Sequence, residues 1–310
     1  TMQPGSSAAQ VASPDATPAL TGLDGAVAWL VAQQGEDGSF PGFAGEPDAN
    51  VTIDAILSLT AASHAGIDTS DASERAIGYL GSGDVALVYA QTGAGQAAKL
   101  VLALSAAGQN GTDFAGIQPV TLIEAGLSLD TGIYGTGVYD HSLAILALSA
   151  IGSDVPQAAI DALAATQAEN GGWAFDGTTE AANVDSNTTA MVIQALVATG
   201  QGDSDLVIDS LGYLDACSSD AGVAWNDVEG SVADANSTGI AIQAFVAAGQ
   251  DAGSLTTALA AFQNPSGAFF YNDADTSDNL FATLQAIPAM AGVAFPVAPV
   301  AESADALLAA

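Results

Sequence analysis

A short apolar signature returns six times along this chain, and a repeat of that period restricts the fold more than any other feature. It reads IDAILSL ending at Leu59, AKLVLAL at Leu104, SLAILAL at Leu148, AMVIQAL at Leu196, GIAIQAF at Phe245 and ATLQAI at Ile287, with landmarks 45, 44, 48, 49 and 42 residues apart. Each copy predicts two helices. The first is amphipathic, as in DGAVAWLVAQQ (24–34), QAAIDALAATQ (157–167), LVIDSLGYLDAC (206–217) and LTTALAAFQ (255–263). The second is apolar nearly all round, which predicts burial on most sides. Six outer helices packed over six inner ones close into a ring. The expected fold is therefore all-α, an (α/α)6 toroid of six helical hairpins. Copies two and three are degenerate, with Gly-rich connections at 81–96 and 130–140.

We divide the chain into a Ser/Ala/Pro-rich N-terminal segment (1–22), the toroid (23–293) and a C-terminal tail (294–310). The first segment lacks the charged and apolar regions of a signal peptide and reads as the head of a processed chain. Poverty in Lys, Arg, Met and Cys points to export, with an extracellular or cell-surface location expected.

Charge excludes whole classes of partner. There are 35 acidic residues against two basic ones, Arg75 and Lys99, for a net charge of −33. Such a surface repels nucleic acid and anionic lipid alike. Cations could screen or bridge it, which raises calcium and self-assembly as expectations. The run Asn272-Asp273-Ala-Asp275-Thr-Ser277-Asp278 resembles the front of a calcium loop, with Asp273, Asp275, Ser277 and Asp278 as candidate ligands. It lacks the loop's Gly and distal Glu, and loop solvation is the competing reading.

Between outer and inner helices lies Gln-x-x-x-Gly-x-aromatic: Gln34, Gly38 and Phe40; Gln167, Gly171 and Trp173; Gln263, Gly267 and Phe269. Cys217, Gly222 and Trp225 form a variant. Gln can hydrogen-bond the turn, Gly permits positive φ, and the ring packs between hairpins. Inner helices open with Asp48-Ala-Asn50, Asp185-Ser-Asn187 and Asp234-Ala-Asn236, more loosely at Asp275–Asn279, and with Tyr139-Asp140-His141 in copy three. These are good N-caps. If all inner helices start at one mouth, Asp48, Asn50, Asp140, His141, Asp185, Asn187, Asp234, Asn236 and Asp278 form a polar binding rim. Asn50, Asn110, Asn187 and Asn236 also head Asn-x-Thr sequons, three of them inside this helix-start pattern. Lys99 and Asp54 share a register in adjacent inner helices where other copies are apolar (Leu143, Met191, Ile240, Ala282), which predicts an ion pair.

These motifs resemble the repeats of the terpene cyclase and protein prenyltransferase superfamily. The resemblance implies a proton-donating Asp in an Asp-x-Asp-Asp-Thr-Ala motif, but Asn187 stands at that position and an amide is no general acid. The zinc of prenyltransferases implies Asp, Cys and His ligands. Asp215-Ala-Cys217 lies at the end of an outer helix, with His64 and His141 in other copies. The expectation is a non-catalytic, secreted binding or scaffold protein. The alternatives are a terpene-cyclase-like or glycan-active enzyme with a divergent acid, and a small-molecule binder resembling the corrinoid-binding toroids of intrinsic factor and transcobalamin. A small ligand or glycan in the toroid mouth, or a second copy of the chain, is the expected partner.

Overall fold

The computed structural model describes residues 21–299, so the N-terminal segment 1–20 and residues 300–310 lie outside it. Thirteen α-helices occupy the described residues. The inner ones are α2 (Ala49–His64), α5 (Ala94–Ala106), α7 (Val138–Ala150), α9 (Ser186–Ala198), α11 (Ala235–Ala247) and α13 (Leu280–Met290). Each packs on the next, and α13 packs back on α2, which closes the ring. The outer ones are α1 (Gly22–Ala32), α3 (Ser70–Leu80), α4 (Val85–Ala90), α6 (Pro119–Ala125), α8 (Gln157–Thr166), α10 (Asp205–Ala216) and α12 (Gly253–Ala260). Most of the inner-helix positions are buried, forming one continuous apolar core. The architecture is an α/α toroid.

The staple is a three-way junction. Gln34 Nε2 donates to Gly38 O in its own turn (2.9 Å) and to Ala72 O on the next outer helix (2.9 Å). Gln167 repeats this with Gly171 O and Leu206 O, at 2.8 and 3.1 Å. Gln263 closes the ring: its Nε2 donates to Gly267 O and Gly22 O, and its Oε1 accepts from Gly22 N. The staple glycine lies against the same neighbouring helix. A Cβ on Gly267 would collide with Gly25 O, and φ there is +98°. Gly38 and Gly171 face Arg75 O and Asp209 O in the same way. Backbone approach this close is open only to glycine.

A second bond latches each turn to the inner helix that follows. The backbone N–H groups of Phe40, Trp173, Val223 and Phe269 each donate to a threonine Oγ1, of Thr52, Thr189, Thr238 and Thr283 respectively, all at 2.9 Å. Each threonine then donates to the carbonyl of its helix N-cap, Asp48, Asp185, Asp234 or Asn279.

Two expectations need correcting in this frame. Copy three is less degenerate than its sequence, because Gly132 meets Ala158 O as the other staple glycines meet their neighbours. There Tyr134 N donates to His141 Nδ1 (3.0 Å), so His141 takes the threonine's place. In copy six the N-cap is Asn279, whose side chain accepts from Ala282 N, and not Asp278. The equivalent of Asp54 and Lys99 is then Gln285 rather than Ala282.

The ends of the ring differ. Residues after α13 cross the C-terminal ends of the inner helices: Phe295 N donates to Gln194 Oε1 on α9 (2.8 Å), and His64 Nε2 on α2 donates to Ala298 O (2.7 Å). In ring order α9 stands opposite α2, so this segment spans the diameter, with Val297 buried. Pro288 inside α13 leaves Leu284 O without its helical donor, and the Ser58 hydroxyl of α2 donates to it at 2.8 Å.

Gly267→Ala should cost about 3 kcal/mol or more, combining left-handed strain with overpacking. Gly45→Ala, at φ +82° with open space around it, should cost about 1–2 kcal/mol. Denaturant unfolding of the two variants reads the difference.

Candidate functional site

At the end opposite the crossing segment, the starts of α7, α9, α11 and α13 surround a cavity of about 250 Å³. Its lining combines aromatic faces, from Tyr139, Phe175 and Trp225, with the polar Asp185, Asn187, Thr188, Asn236 and Gln285. Asp185 caps α9. Its β-region backbone lets Oδ1 accept from Thr188 N at 2.7 Å, and the short antiparallel pairing of Trp173 with Asp185 sets it on the staple turn. Only 1% of Asp185 is exposed. Burial pushes its carboxyl above the usual aspartate range, outweighing the stabilising hydrogen bonds from Thr188.

Asp234 is the equivalent cap of α11, and burial raises it too. Both of its oxygens are held by Ser237, and it does not line the cavity. Asn187 and Asn236 do line it, and Asn236 Oδ1 is buried without a partner among the described residues. Tyr139 stacks on Phe175 with ring centres 6.1 Å apart. Its hydroxyl is held protonated by burial, with the carboxylates of Asp54, Asp185 and Asp140 nearby. Asp140 Oδ2 accepts from Thr136 N (3.2 Å) and Thr136 Oγ1 (2.9 Å).

The other rim residues divide. Asp48 caps α2 through Val51 N (3.0 Å) and faces a separate groove beside α4, together with Asn50, Tyr79 and Tyr89. Asn50 Oδ1 accepts from Tyr89 OH and from Lys99 Nζ, each at 2.9 Å. Lys99 Nζ lies 2.7 Å from Asp54 Oδ1, both side chains being mostly buried. His141 does not reach the mouth. It is fully buried, its Nδ1 accepts from Tyr134 N and its Nε2 donates to Ala159 O (2.8 Å). Burial lowers its pKa, and the Nδ1 bond requires the neutral ring. Asp278 accepts from Asn264 and Ser266 in the preceding turn.

Asp275 holds Ser277 instead of converging with Asp278 and Asp273. Among the described residues no three His, Cys, Asp or Glu side chains gather as metal ligands. Cys217 is buried and its thiol is pushed up to about 11 by burial, the wrong direction for a thiolate ligand. A larger groove of about 840 Å³ lies at the far end, but the Asp68 carboxyl beside it is lowered by its bonds from Ser70 and has no acid to offer at neutral pH.

No family model and no curated protein matches the sequence. Solved structures do match the fold. The type II terpene cyclase MstE from Scytonema, in a variant with bound geranylgeranyl dihydroxybenzoate, superposes with a TM-score of 0.61 at 15% identity, covering 87% of this chain and 95% of that one. The fold is the terpene-cyclase-like α/α toroid. An inactive variant of the α-1,6-mannanase GH76A of Salegentibacter sp. HEL1_6, bound to α-1,6-mannotriose, gives 0.65 at 13% identity over 87% of this chain and 97% of that one. An unsaturated glucuronyl hydrolase specific for heparin gives 0.61 at 12% identity, over 86% and 94%. These neighbours are enzymes, which overturns the expectation of a non-catalytic scaffold. That expectation rested on Asn187 and on the scattered zinc ligands, and it read Asp185 as a cap and rim residue without its burial beside the cavity.

Two outcomes test this geometry. Lys99→Ala should destabilise the fold by about 2–3 kcal/mol, because it strands a mostly buried Asp54, and Lys99→Met should cost less by keeping the packing. Equal midpoints in denaturant would contradict the pairing. For Asp185 the raised folded-state pKa means that its ionisation disfavours the fold. Asp185→Asn should therefore gain stability relative to the parent as pH rises from about 4 to 7, against a reference value of 3.8, and gain nothing below it. Melting curves across that window check the sign.

Proposed function

We propose that this toroid is a glycan-active enzyme that cleaves a neutral polysaccharide, with Asp185 as its general acid. The observation that carries this reading is a buried carboxyl, raised in pKa by desolvation, in a cavity of aromatic faces and amide groups. Sugar rings present an apolar face to aromatic side chains and hydroxyls to amides and carboxylates, and this lining offers both. A polyisoprenoid would leave Asn187, Asn236 and Gln285 unpaired, at a desolvation cost. Net charge of −33 favours a neutral glycan over an anionic one.

Glycoside cleavage needs an acid for the leaving oxygen and a second carboxylate. Asp185 serves as the acid. Of the other carboxylates around Tyr139, Asp54 is engaged by Lys99, and Asp140 is bonded by Thr136 and stands outside the cavity lining, so only the acid is assigned a residue. The mannanase neighbour supports the reading to the extent that its inactive form carries two Asp-to-Asn changes. Export, inferred from composition, would bring such an enzyme to extracellular polysaccharide.

The test incubates the purified chain with α-1,6-mannan, β-1,4-mannan, β-1,4-glucan and β-1,4-xylan and measures new reducing ends. Turnover of at least one is expected, with Asp185→Asn lowering the rate about 100-fold or more and Asp234→Asn leaving it nearly unchanged. The rate should fall as pH rises through the raised Asp185 pKa. Cyclisation of a polyprenyl substrate without glycan cleavage, or full activity in Asp185→Asn, would overturn the assignment.

A further inference from the structure

Three aromatic side chains outside the sequence-derived site occupy the same position in successive hairpins. Phe175, Trp225 and Tyr271 each follow the latched residue of their turn (Trp173, Val223 or Phe269) by two positions, and they are 53%, 50% and 38% exposed. The backbone carbonyl of each accepts from the first residue of the preceding inner helix: Phe175 O from Val138 N (2.9 Å), Trp225 O from Ser186 N (2.8 Å) and Tyr271 O from Ala235 N (2.9 Å). They are thus fixed over the starts of α7, α9 and α11.

Single exposed apolar residues are ordinary on a protein surface. Recurrence at one register in three adjacent hairpins, with the backbone pinned each time, is not. The exposed Phe43 offers a contrast: it stacks on Phe281 at 4.3 Å, whereas Trp225 has no aromatic partner among the described residues. The matching positions in copies one and three are Gly42 and Thr136, so the aromatics form an arc on one side of the mouth.

We infer that this arc is an extended binding site for a linear neutral glycan, with subsites on both sides of Asp185. Neighbouring packed helices stand about 8–10 Å apart, so the rings are spaced on the order of a disaccharide. Asp185 caps the middle helix, and the arc continues past it in both directions, to Phe175 over α7 and to Tyr271 over α11. A chain lying on these faces keeps its hydroxyl edges toward Asn187, Asn236 and Gln285. Fixed backbones leave little to order on binding. Asn236 Oδ1, buried and unpartnered, is an acceptor for one of those hydroxyls. The inference rests on the glycan reading above but names different residues and a different property, chain-length dependence.

The test uses the Asp185→Asn chain, which should bind without turnover, and α-1,6-manno-, β-1,4-manno-, β-1,4-gluco- and β-1,4-xylo-oligosaccharides of one to six units, with affinity measured by calorimetry. One series should bind progressively more tightly as it lengthens. Adding Trp225→Ala should weaken the hexamer about 10-fold, as expected for loss of one stacked ring. Adding Tyr271→Ala should weaken the hexamer and spare the dimer, and Trp225→Phe should restore most of the affinity. Melting temperature controls for folding. Hexamer affinity equal to the dimer's, or unchanged by Tyr271→Ala, would overturn the arc while leaving Asp185-dependent cleavage standing. Length-dependent, Trp225-dependent binding with no cleavage by the parent chain would support the arc and overturn the glycosidase assignment. Binding of none of the four series overturns the arc.

Discussion

The toroid depends on a backbone-to-backbone contact that only glycine permits. At Gly267 the last turn of the ring comes close enough to α1 that a single added carbon would strike Gly25 O. Gln263 then satisfies both polar groups of Gly22 and the turn's own carbonyl. Helix ends normally leave carbonyl and amide groups without partners. At three of the junctions one glutamine answers for two hairpins at once. Sliding one outer helix relative to its neighbour would break that bond and the glycine contact together, so the junctions hold the hairpins to a common level.

That common level makes the mouth a defined surface. In four hairpins the threonine latch ties the turn to the cap of its own inner helix, and in three a turn carbonyl holds the first residue of the helix before. Asp185 and the aromatic faces above it are therefore positioned by one set of hydrogen bonds. A carboxyl held this way can be buried and kept from water without collapsing on its neighbours. Its raised pKa follows from that burial.

Much of the fold was legible in the sequence because the staple is chemically narrow. Few residues other than Gln reach both a turn and a neighbouring helix, and few but Gly accept the contact beside it. Copy three was harder to read because His141 latches the turn in place of threonine while also reaching the next outer helix at Ala159. Copy six was misread for another reason. Its apolar landmark at Ile287 lies three residues before Met290, the true equivalent of Leu59, and a slip of three in a helix returns to nearly the same face. The Asp54–Lys99 register was legible because both residues interrupt an apolar ring. Of the site, Asp185 and Asn187 were visible as a motif, but the consequence of burial for Asp185 was not, since burial depends on neighbouring hairpins. The arc escaped notice because Phe175 and Tyr271 sit in irregular turns with no periodicity to mark them, and because Trp225 reads as the staple ring of copy five, where Val223 takes the latched place and leaves Trp225 half exposed.

The segment crossing the far end of the ring, held at Gln194 and His64, gives the toroid a floor. A ring open at both ends could let a polymer thread through and be processed along its length. With this segment across the far end, the cavity beside Asp185 lies at the opposite mouth. On the proposed reading, a long glycan would lie across that mouth and touch it over a few units. Under that reading, each encounter with the polymer would begin afresh at the rim.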